Sequence, residues 1–363
     1  MHIEEFRARL QPHLDHFTQA KAQSYARYTG DTFLLSLFDY VHRLSAGSGK
    51  RIRPYVAYLV YCSAMEKGGA SHQNAAAREE DVIRFLVSLE LFHLFCLVHD
   101  DVIDRGTQRY GLPTIGRFVA GELRTQGRLG DHEHTGNAQA MLLGDLLFAW
   151  SHEILNYSQD FPRRVLDHVG CYFSSMIDEV VVGQMIDVDM MTRRDTSVEV
   201  IQQKMVLKTA SYTFIRPMQI GAALADASTR YERYCYDLGL SLGIAFQTKD
   251  DLLDLVATPD TTRKTLFADL RDATHTLFTQ YIFEHGSEDD QRQLRGMLGA
   301  DLGPQDRPRV LELFERSGAL AHGQAQVESH LQSASRLVEE GPLCKAARDG
   351  FMHLIEVIRA RSK

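Results

Sequence analysis

The sequence predicts an all-α protein folded as one large helical bundle. Apolar residues recur at helical spacing along nearly the whole chain, and only nine of the 363 residues are proline. No stretch alternates polar and apolar residues between hairpin turns, which argues against a sheet. Because 44% of the residues are apolar, the chain can bury a sizeable core. We therefore expect a single domain over residues 1–363.

The predicted helices follow one another with short breaks, which favours one bundle. The first mixes charges of both signs with apolar residues, so it is interpreted as an amphipathic helix and not as a secretory signal. The others are assigned on apolar spacing. In chain order the predicted helices span 3–28, 31–45, 51–66, 79–104, 137–158, 162–190, 197–225, 229–257, 265–286, 307–321, 323–341 and 343–361.

The most apolar segment, 82–98, is predicted to be a buried central helix. It is interrupted by Arg84, Glu90 and His93, and its length is at the lower limit for a membrane span. We therefore expect no integral membrane segment.

The stretch 121–137 is predicted to be a surface loop inserted into the bundle. It contains four glycines and several charges, and it has no apolar periodicity. Its adjacent His132, Glu133 and His134 are interpreted as solvated side chains rather than as a metal site.

Charge and cysteine content restrict the partners and the compartment. The formal net charge is −8 and there is no long basic run, which argues against nucleic-acid binding through a cationic surface. The five cysteines are scattered, with neither a metal-ligand spacing nor a dense disulfide framework. We expect small-molecule partners and a reducing, cytoplasmic location.

Two aspartate clusters share the spacing DDxxD. The first is HDDVID at 99–104 and the second is KDDLLD at 249–254, each at the end of an apolar helix. In a helix the first and last aspartate of each motif share a face, whereas the middle one points about 100° away. If the two helices face each other, the carboxylates converge on hard cations, and magnesium suits such oxygen ligands. The alternative is two solvated helix ends with unrelated charges.

Cationic residues occur at separated points of the chain. GSGKRIRP, at 47–54, places Lys50, Arg51 and Arg53 just ahead of a helix and after two glycines, a geometry suited to an anion. Further positive charges are Arg109, Lys208 and Lys264. Magnesium held by aspartates and ringed by Lys and Arg indicates a site for a diphosphate.

With these motifs, the chain resembles the trans-isoprenyl diphosphate synthases of the polyprenyl synthetase family. The resemblance covers about residues 47–278, with the motifs in the family's order. It rests on GKRIRP (49–54), HLFCLVHDDVID (93–104), RYGLPT (109–114), LLGDLLF (142–148), GQMID (183–187), KTA (208–210), FQTKDDLLD (246–254) and KTLFADLRD (264–272).

The resemblance implies an isoprenoid-synthase bundle around a central cavity, a homodimer, and condensation of an allylic diphosphate with isopentenyl diphosphate. Loss of diphosphate would leave an allylic cation, which the double bond of isopentenyl diphosphate attacks before a proton is lost. No side-chain nucleophile is required. The three magnesium ions of the family are implied at Asp100, Asp104 and Asp250.

The same resemblance implies roles for other residues. Support of the metal sites, through water or orientation, is implied for Asp101, Asp251 and Asp254. The positions that grip the allylic diphosphate are matched by Arg109, Lys208 and Lys264. The positions that hold isopentenyl diphosphate are matched by Lys50, Arg53 and His93. Groups near the developing cation are matched by Thr209 and Gln247.

Large rings before the first motif predict a short product. Cys96 and Phe92 lie one and two helical turns before Asp100, and Phe95 lies beside them. In the family, bulky residues here stop elongation, so we expect a product of fifteen or twenty carbons. The alternative is that these rings simply pack in the core.

The main departure from the family pattern is at residue 110. Where the family carries two arginines and a glycine, this chain has Arg109, Tyr110 and Gly111. Because the second arginine normally contacts isopentenyl diphosphate, its loss weakens that site by about 1.5–3 kcal/mol unless another residue substitutes. Three alternatives therefore stay open: a class I terpene cyclase, a prenyltransferase with a non-standard acceptor, and a non-catalytic regulatory subunit of another synthase.

Overall fold

The computed structural model confirms the all-α fold. It describes residues 1–47, 49–68, 79–256 and 267–361. Within these ranges the only strands are β1 (Gln108–Arg109) and β2 (Leu112–Pro113), which pair as a tight antiparallel hairpin. The α-helices are α1 (Ile3–Ser24), α2 (Thr32–Ser45), α3 (Ile52–Glu66), α4 (Glu79–Phe85), α5 (Val87–Ile103), α6 (Ile115–Thr125), α7 (His132–Tyr157), α8 (Arg163–Met190), α9 (Val198–Met205), α10 (Arg216–Leu224), α11 (Ser228–Val256), α12 (Ala268–Arg271), α13 (Leu277–His285), α14 (Glu288–Met297), α15 (Arg307–Arg316), α16 (Ala319–Glu340) and α17 (Lys345–Arg359).

Other helical types join these elements. Short 3-10 turns occur at Tyr25–Arg27 and Pro304–Asp306. Between α9 and α10 the chain forms a π-helical segment, Val206–Ile215. Such segments are rare in proteins, and those that occur are often found at functional sites.

The chain divides into two compact units, which are described separately. Unit 1 comprises Met1–Tyr58 and His72–Leu166, and unit 2 comprises Leu59–Ser71 and Asp167–Lys363. The single domain over residues 1–363 stays a prediction.

Unit 1 is organised around α5, which packs against α7. Eight of the 17 residues of α5 are buried, including Leu89, Leu91 and Phe92. Helix α2 begins where the Asp31 carboxylate accepts hydrogen bonds from the backbone N–H groups of its first turn, at 2.8 and 3.1 Å. The core thus encloses the N-terminal half of α5, and the first aspartate motif lies at the other, less buried end of the helix.

Helices α4 and α5 together form the one described stretch that is long and apolar enough to cross a membrane. Over Glu79–Ile103 the best window has a mean hydropathy of 1.8, and 67% of it is buried inside the protein. Such burial is typical of a core helix, as predicted for 82–98.

Unit 2 is organised around α11, which packs against the π-helical segment and α16. Helix α13 begins with a capping box. The backbone N–H of Thr276 donates to the Thr279 hydroxyl at 2.9 Å, and the backbone N–H of Thr279 donates to the Thr276 hydroxyl at 3.4 Å. A core cluster that includes Phe267, Phe278 and Phe314 encloses the C-terminal half of α11. This core fixes the helix that carries the second aspartate motif.

The predicted loop over 121–137 is wrong in extent. Helices α6 and α7 extend into this stretch from both sides and leave only 126–131 outside helices. The charges that resembled a solvated loop are paired, since the Glu133 carboxylate accepts hydrogen bonds from Arg117 and Arg124.

Other helix predictions also differ from the structure. Helix α6 was not predicted, and the predicted helix 265–286 contains a break between α12 and α13. The predicted helix 197–225 contains the π-helical segment and is not regular. Helix α14 was not predicted because its sequence, EDDQRQLRGM, buries few apolar residues and has no clear apolar period.

Candidate active site

The first aspartate motif lies at the C-terminal end of α5. Asp100 and Asp101 are in its last turn, and Asp104 is the C-cap residue. The last carbonyl groups of a helix carry a partial negative charge, so carboxylates are unfavourable there unless a cation binds. Asp100 and Asp104, which share a face, therefore suit a divalent metal ion.

The hairpin after α5 brings an arginine back to the motif. Its turn has positive φ at both central residues, 54° at Tyr110 and 80° at Gly111. The Arg109 Nη2 atom lies 2.5 Å from Asp101 Oδ1, and Nε donates to the same oxygen at 3.2 Å. Burial would lower the pKa of Arg109, but its bond to Asp101 outweighs that effect and the pKa is raised. Asp101 thus orients a fully charged guanidinium.

His93, on the same helix, is influenced by the positive charges of two arginines. Burial, followed by the positive charges of Arg53 and Arg109, holds the pKa of His93 well below its usual value. The ring is therefore neutral at neutral pH. Since the charges of Arg53 and Arg109 both act on it, the structure gathers these three predicted residues in unit 1, and Lys50 is exposed close by in sequence.

A buried ion pair positions the loop before α3. Arg51 Nη1 lies 2.5 Å from Glu90 Oε1, and the two side chains are 0% and 2% exposed. The guanidinium also donates to the carbonyl oxygens of Ser45 and Gly47. Arg51 therefore supports the backbone on which Lys50 and Arg53 lie, rather than facing a ligand.

Tyr110 packs against this loop. A Cβ atom added at Gly47 would lie 2.9 Å from the Tyr110 ring, and one at Gly49 would lie 3.3 Å from its hydroxyl. Burial and the charge of Glu90 raise the pKa of Tyr110. The hydroxyl thus remains a neutral donor beside the Arg51–Glu90 pair.

An apolar cleft in unit 1 reaches this charged region. Its walls come from α2, α5, α6 and α7, and its polar end is formed by Asp101, Arg109 and Tyr110. The apolar lining consists of Val41, Leu44, Leu94, Leu97, Val98, Ile115 and Leu147.

The aromatic residues before the motif form a cluster with α7. The Phe95 ring centroid lies 5.1 Å from that of Phe148 and 5.5 Å from that of Phe92. Phe92 is fully buried, whereas Phe95 and Cys96 are partly buried. Phe148 is an additional ring that the sequence analysis missed.

The π-helical segment carries Lys208 and Thr209 in unit 2. A Cβ atom at Gly183 of α8 would lie 2.4 Å from the Lys208 backbone nitrogen, and one at Gly243 of α11 would lie 2.2 Å from Ala210 Cβ. Only glycine allows these close approaches, so α8 and α11 hold the segment from two sides.

Asp187, in the GQMID motif, receives two lysines. Its Oδ2 atom lies 2.5 Å from Lys208 Nζ, and its Oδ1 atom lies 3.1 Å from Lys204 Nζ. Burial would raise the pKa of Asp187, but the charges of Lys204 and Lys208 outweigh it and the pKa is lowered. Neither Asp187 nor Lys204 was predicted, although the motif itself was noted.

A hydrogen-bonded chain connects the predicted groups of α11 with the π-helical segment. The Thr209 hydroxyl donates to Gln247 Oε1 at 2.5 Å, and Gln247 Nε2 donates to Asp251 Oδ1 at 2.7 Å. Burial raises the pKa of Asp251 to about 7, with the charges of Asp250 and Asp254 adding to the effect and Lys204 opposing it. Thr209 and Gln247 are thus brought into direct contact.

The outer aspartates of the second motif have different surroundings. Asp250 Oδ1 lies 2.8 Å from Arg361 Nη2 near the end of the chain. The Asp254 carboxylate accepts hydrogen bonds from the backbone N–H groups of Ala268 and Asp269, both at 3.1 Å. Burial and the charges of Asp254 and Asp251 raise the pKa of Asp269 well above its usual value. Asp254 therefore holds the first turn of α12.

Residues 35–315 match the family model described as polyprenyl synthetase. The chain belongs to the polyprenyl synthetase family. The resemblance carried by the motifs is thereby confirmed, as is the predicted enzyme class, a prenyl diphosphate synthase.

Several members of the polyprenyl synthetase family are similar to the chain. It is 32% identical over 238 residues to a geranylgeranyl diphosphate synthase of Methanosarcina mazei, covering 66% of this chain and 64% of that protein. It is 26% identical over 320 residues to a geranylfarnesyl diphosphate synthase of Aeropyrum pernix, covering 87% and 90%. The solved geranylgeranyl pyrophosphate synthase of Corynebacterium glutamicum, complexed with isoprenyl diphosphate and magnesium, has a TM-score of 0.90 at 26% identity, covering 99% of this chain and 100% of that one.

The described part of the chain contains no ready-made cluster of metal ligands. Within 1–47, 49–68, 79–256 and 267–361, no group of three or more His, Cys, Asp or Glu side chains could hold a metal ion. Magnesium is commonly bound by one or two carboxylates together with water and phosphate oxygens. The oxygen donors of Asp100, Asp104 and Asp250 fit that chemistry.

One predicted diphosphate-binding residue has no described position in the structure. Lys264 lies outside the described residues.

Proposed function

We propose that the chain condenses an allylic diphosphate with isopentenyl diphosphate and releases a prenyl diphosphate of fifteen or twenty carbons. The observation that carries this proposal is the cluster of Arg53, neutral His93 and Arg109 beside the carboxylates of the first motif. A cation-binding and an anion-binding group thus lie together, as a magnesium diphosphate requires.

The roles of the side chains follow from their charge and surroundings. Arg109 and Lys208, and by resemblance Lys264, would donate to the allylic diphosphate as negative charge accumulates on it. Lys50, Arg53 and His93 would hold isopentenyl diphosphate. Three magnesium ions, bound at Asp100, Asp104 and Asp250, would neutralise the leaving diphosphate.

The remaining groups act on the hydrocarbon part. Thr209 and Gln247 offer neutral oxygens close to one another, suited to a developing cation. Asp101 and Asp254 orient Arg109 and the chain after α11, whereas Asp251 holds Gln247. Apolar side chains must exclude water, which would otherwise capture the cation.

We propose further that the enzyme is a cytoplasmic homodimer. Helix α7 exposes Met141 and Leu142, which are 50% and 59% accessible, and α8 exposes Met185 at 65%. Exposed apolar patches on helices mark protein contacts. None of the five cysteines, all of which lie in the described residues, is in a disulfide bond, which supports a reducing compartment. Sedimentation at micromolar concentration tests the dimer, and a monomer there would contradict it.

An assay of the purified chain tests the proposed reaction. With magnesium, geranyl or farnesyl diphosphate and isopentenyl diphosphate, we expect an elongated diphosphate, and none in excess chelator. A hydrocarbon made from the allylic substrate alone would indicate a terpene cyclase. Absence of product with every acceptor would indicate a regulatory subunit and contradict the proposal.

The ring cluster predicts the product length. Phe95→Ala should lengthen the product by at least one five-carbon unit, because it removes a partly buried ring at the proposed end of the cavity. Phe92→Leu tests the next ring with a smaller loss of packing than alanine would cause. The measurement is the chain-length distribution of the products. Phe85→Ala, which removes a buried ring of α4 that stacks edge-on with Phe161, is the matched control. Unchanged products in both test variants would show that the rings only pack in the core.

Because Tyr110 offers only one neutral donor, we expect isopentenyl diphosphate to bind weakly. Tyr110→Arg should lower the KM for isopentenyl diphosphate about tenfold, because a charge-assisted fork replaces one neutral donor. The KM for the allylic diphosphate should change little. Tyr110→Phe is the control and should raise the KM for isopentenyl diphosphate slightly. If Tyr110→Arg instead leaves that KM unchanged or raises it, the tyrosine is part of a pocket for another acceptor.

A further inference from the structure

Lys204 is a buried cation without a role in the mechanism above. It lies in the last turn of α9, and its side chain is 9% exposed. Its ammonium is 3.1 Å from Asp187 Oδ1 and donates to the backbone carbonyl of His275 at 3.2 Å. A buried ammonium is unfavourable unless it is paired, so these contacts need an explanation.

The second lysine on the same carboxylate differs from the first in accessibility. Lys208 Nζ lies 2.5 Å from the other oxygen, Asp187 Oδ2, and its side chain is 24% exposed. Asp187 itself is 9% exposed. One buried carboxylate therefore has an enclosed ammonium on one oxygen and a more accessible ammonium on the other.

This arrangement matters when a ligand competes for Lys208. A diphosphate attracts an ammonium more strongly than a single carboxylate does, because it carries more negative charge. If Lys204 were absent, departure of Lys208 would leave the buried Asp187 carboxylate without a counter-charge, which is strongly unfavourable. With Lys204 in place, Asp187 keeps a full counter-charge and a direct contact.

We propose that Lys204 is a positioning residue that neutralises Asp187 and so allows Lys208 to exchange this carboxylate for the diphosphate of the substrate. The inference rests on the proposed function, since it assigns Lys208 to the allylic diphosphate. Lys204 acts through Asp187 and does not itself contact the substrate.

Binding of a non-ionising analogue tests this role without turnover. We measure the dissociation constant of geranyl S-thiolodiphosphate by calorimetry on the full chain at saturating magnesium. Lys204→Met should weaken binding about tenfold or more, since Asp187 then retains Lys208. Lys204→Arg, which keeps the charge, should bind within about threefold of the parent chain.

The double variant Asp187→Asn/Lys204→Met separates this role from a structural one. A neutral amide needs no counter-charge and releases Lys208, so the double variant should recover the affinity of the parent chain. In steady-state kinetics, Lys204→Met should raise the KM for the allylic diphosphate and leave the KM for isopentenyl diphosphate unchanged, whereas a general disturbance of the fold would raise both.

Each outcome decides the proposal. Parent-like affinity of Lys204→Met overturns it, as does equal weakening of the single and double variants with unchanged circular dichroism. If Lys204→Met does not fold, Asp187→Asn and the double variant are compared, and unequal affinities overturn the proposal. A parent chain that does not bind the analogue overturns the proposed function first, and this inference with it.

Discussion

Replacing Asp100 or Asp250 with alanine is expected to reduce kcat/KM on the order of a thousandfold, because each removes a proposed magnesium ligand. Thermal stability should change little. Asp100 lies in a carboxylate cluster at the end of a helix, where removing one negative charge relieves repulsion. Asp250 loses a partly buried ion pair with Arg361, in which the two side chains are 33% and 16% exposed, at a cost of about 1 kcal/mol. The measurements are steady-state kinetics with both substrates and the midpoint of thermal unfolding.

Asp237 provides a matched control on the same helix as Asp250. Both side chains are 33% exposed, and each has one arginine partner, Arg233 for Asp237 and Arg361 for Asp250. Because Arg233 is 84% exposed and Arg361 is 16% exposed, Asp237→Ala should destabilise no more than Asp250→Ala, and it should retain full activity. Similar activity in all three variants would contradict the proposed metal sites.

Glu90→Gln is expected to lower the free energy of unfolding by about 3–5 kcal/mol. The substitution leaves the Arg51 guanidinium buried without a counter-charge, and arginine does not lose its proton in proteins. The same change should displace the loop before α3 and raise the KM for isopentenyl diphosphate. Urea unfolding followed by circular dichroism gives the stability, and steady-state kinetics give the KM.

An exposed ion pair of the same unit is the control for this prediction. Glu79→Gln weakens the pair with Arg9, in which the glutamate side chain is 47% exposed, and should cost about 1 kcal/mol or less. The double variant Arg51→Met/Glu90→Leu, which removes both buried charges, should regain most of the stability. Equal, small losses in Glu90→Gln and Glu79→Gln would show that the buried pair does not stabilise unit 1.

The chemistry of the site was readable from the sequence where it depends on local spacing. The DDxxD motifs, the cationic loop and the Arg109 turn each lie within a short segment, so helical periodicity and turn chemistry sufficed to identify them. The same holds for the rings at Phe92 and Phe95, which lie on the helix of the first motif.

Residues that act through long-range pairing were not predicted. Glu90 was noted only as a charge that interrupts an apolar segment. A buried charge needs a partner of opposite sign, and the cationic stretch 47–54 offered Arg51 as a candidate. Asp187 and Lys204 meet only because α8 and α9 fold together. The loop prediction for 121–137 was wrong for the opposite reason. This stretch lacks an apolar stripe, but it is helical, and Glu133 of α7 pairs with arginines of α6.

The π-helical segment also has a consequence for the phase of the chain on either side of it. A π-turn contains more residues than an α-turn, so each one rotates the following residues around the helix axis relative to a continuous α-helix. Ten residues, Val206–Ile215, contribute to this rotation before α10 begins. The face that α10 presents is therefore rotated from the one that an unbroken α-helix continuing α9 would present. A single-residue deletion within the segment would restore α-helical phase locally and turn Lys208 away from its neighbours, while every side chain downstream would face a new direction. We infer that a change in residue count within the segment would displace Lys208 and Thr209 together with the residues that follow them.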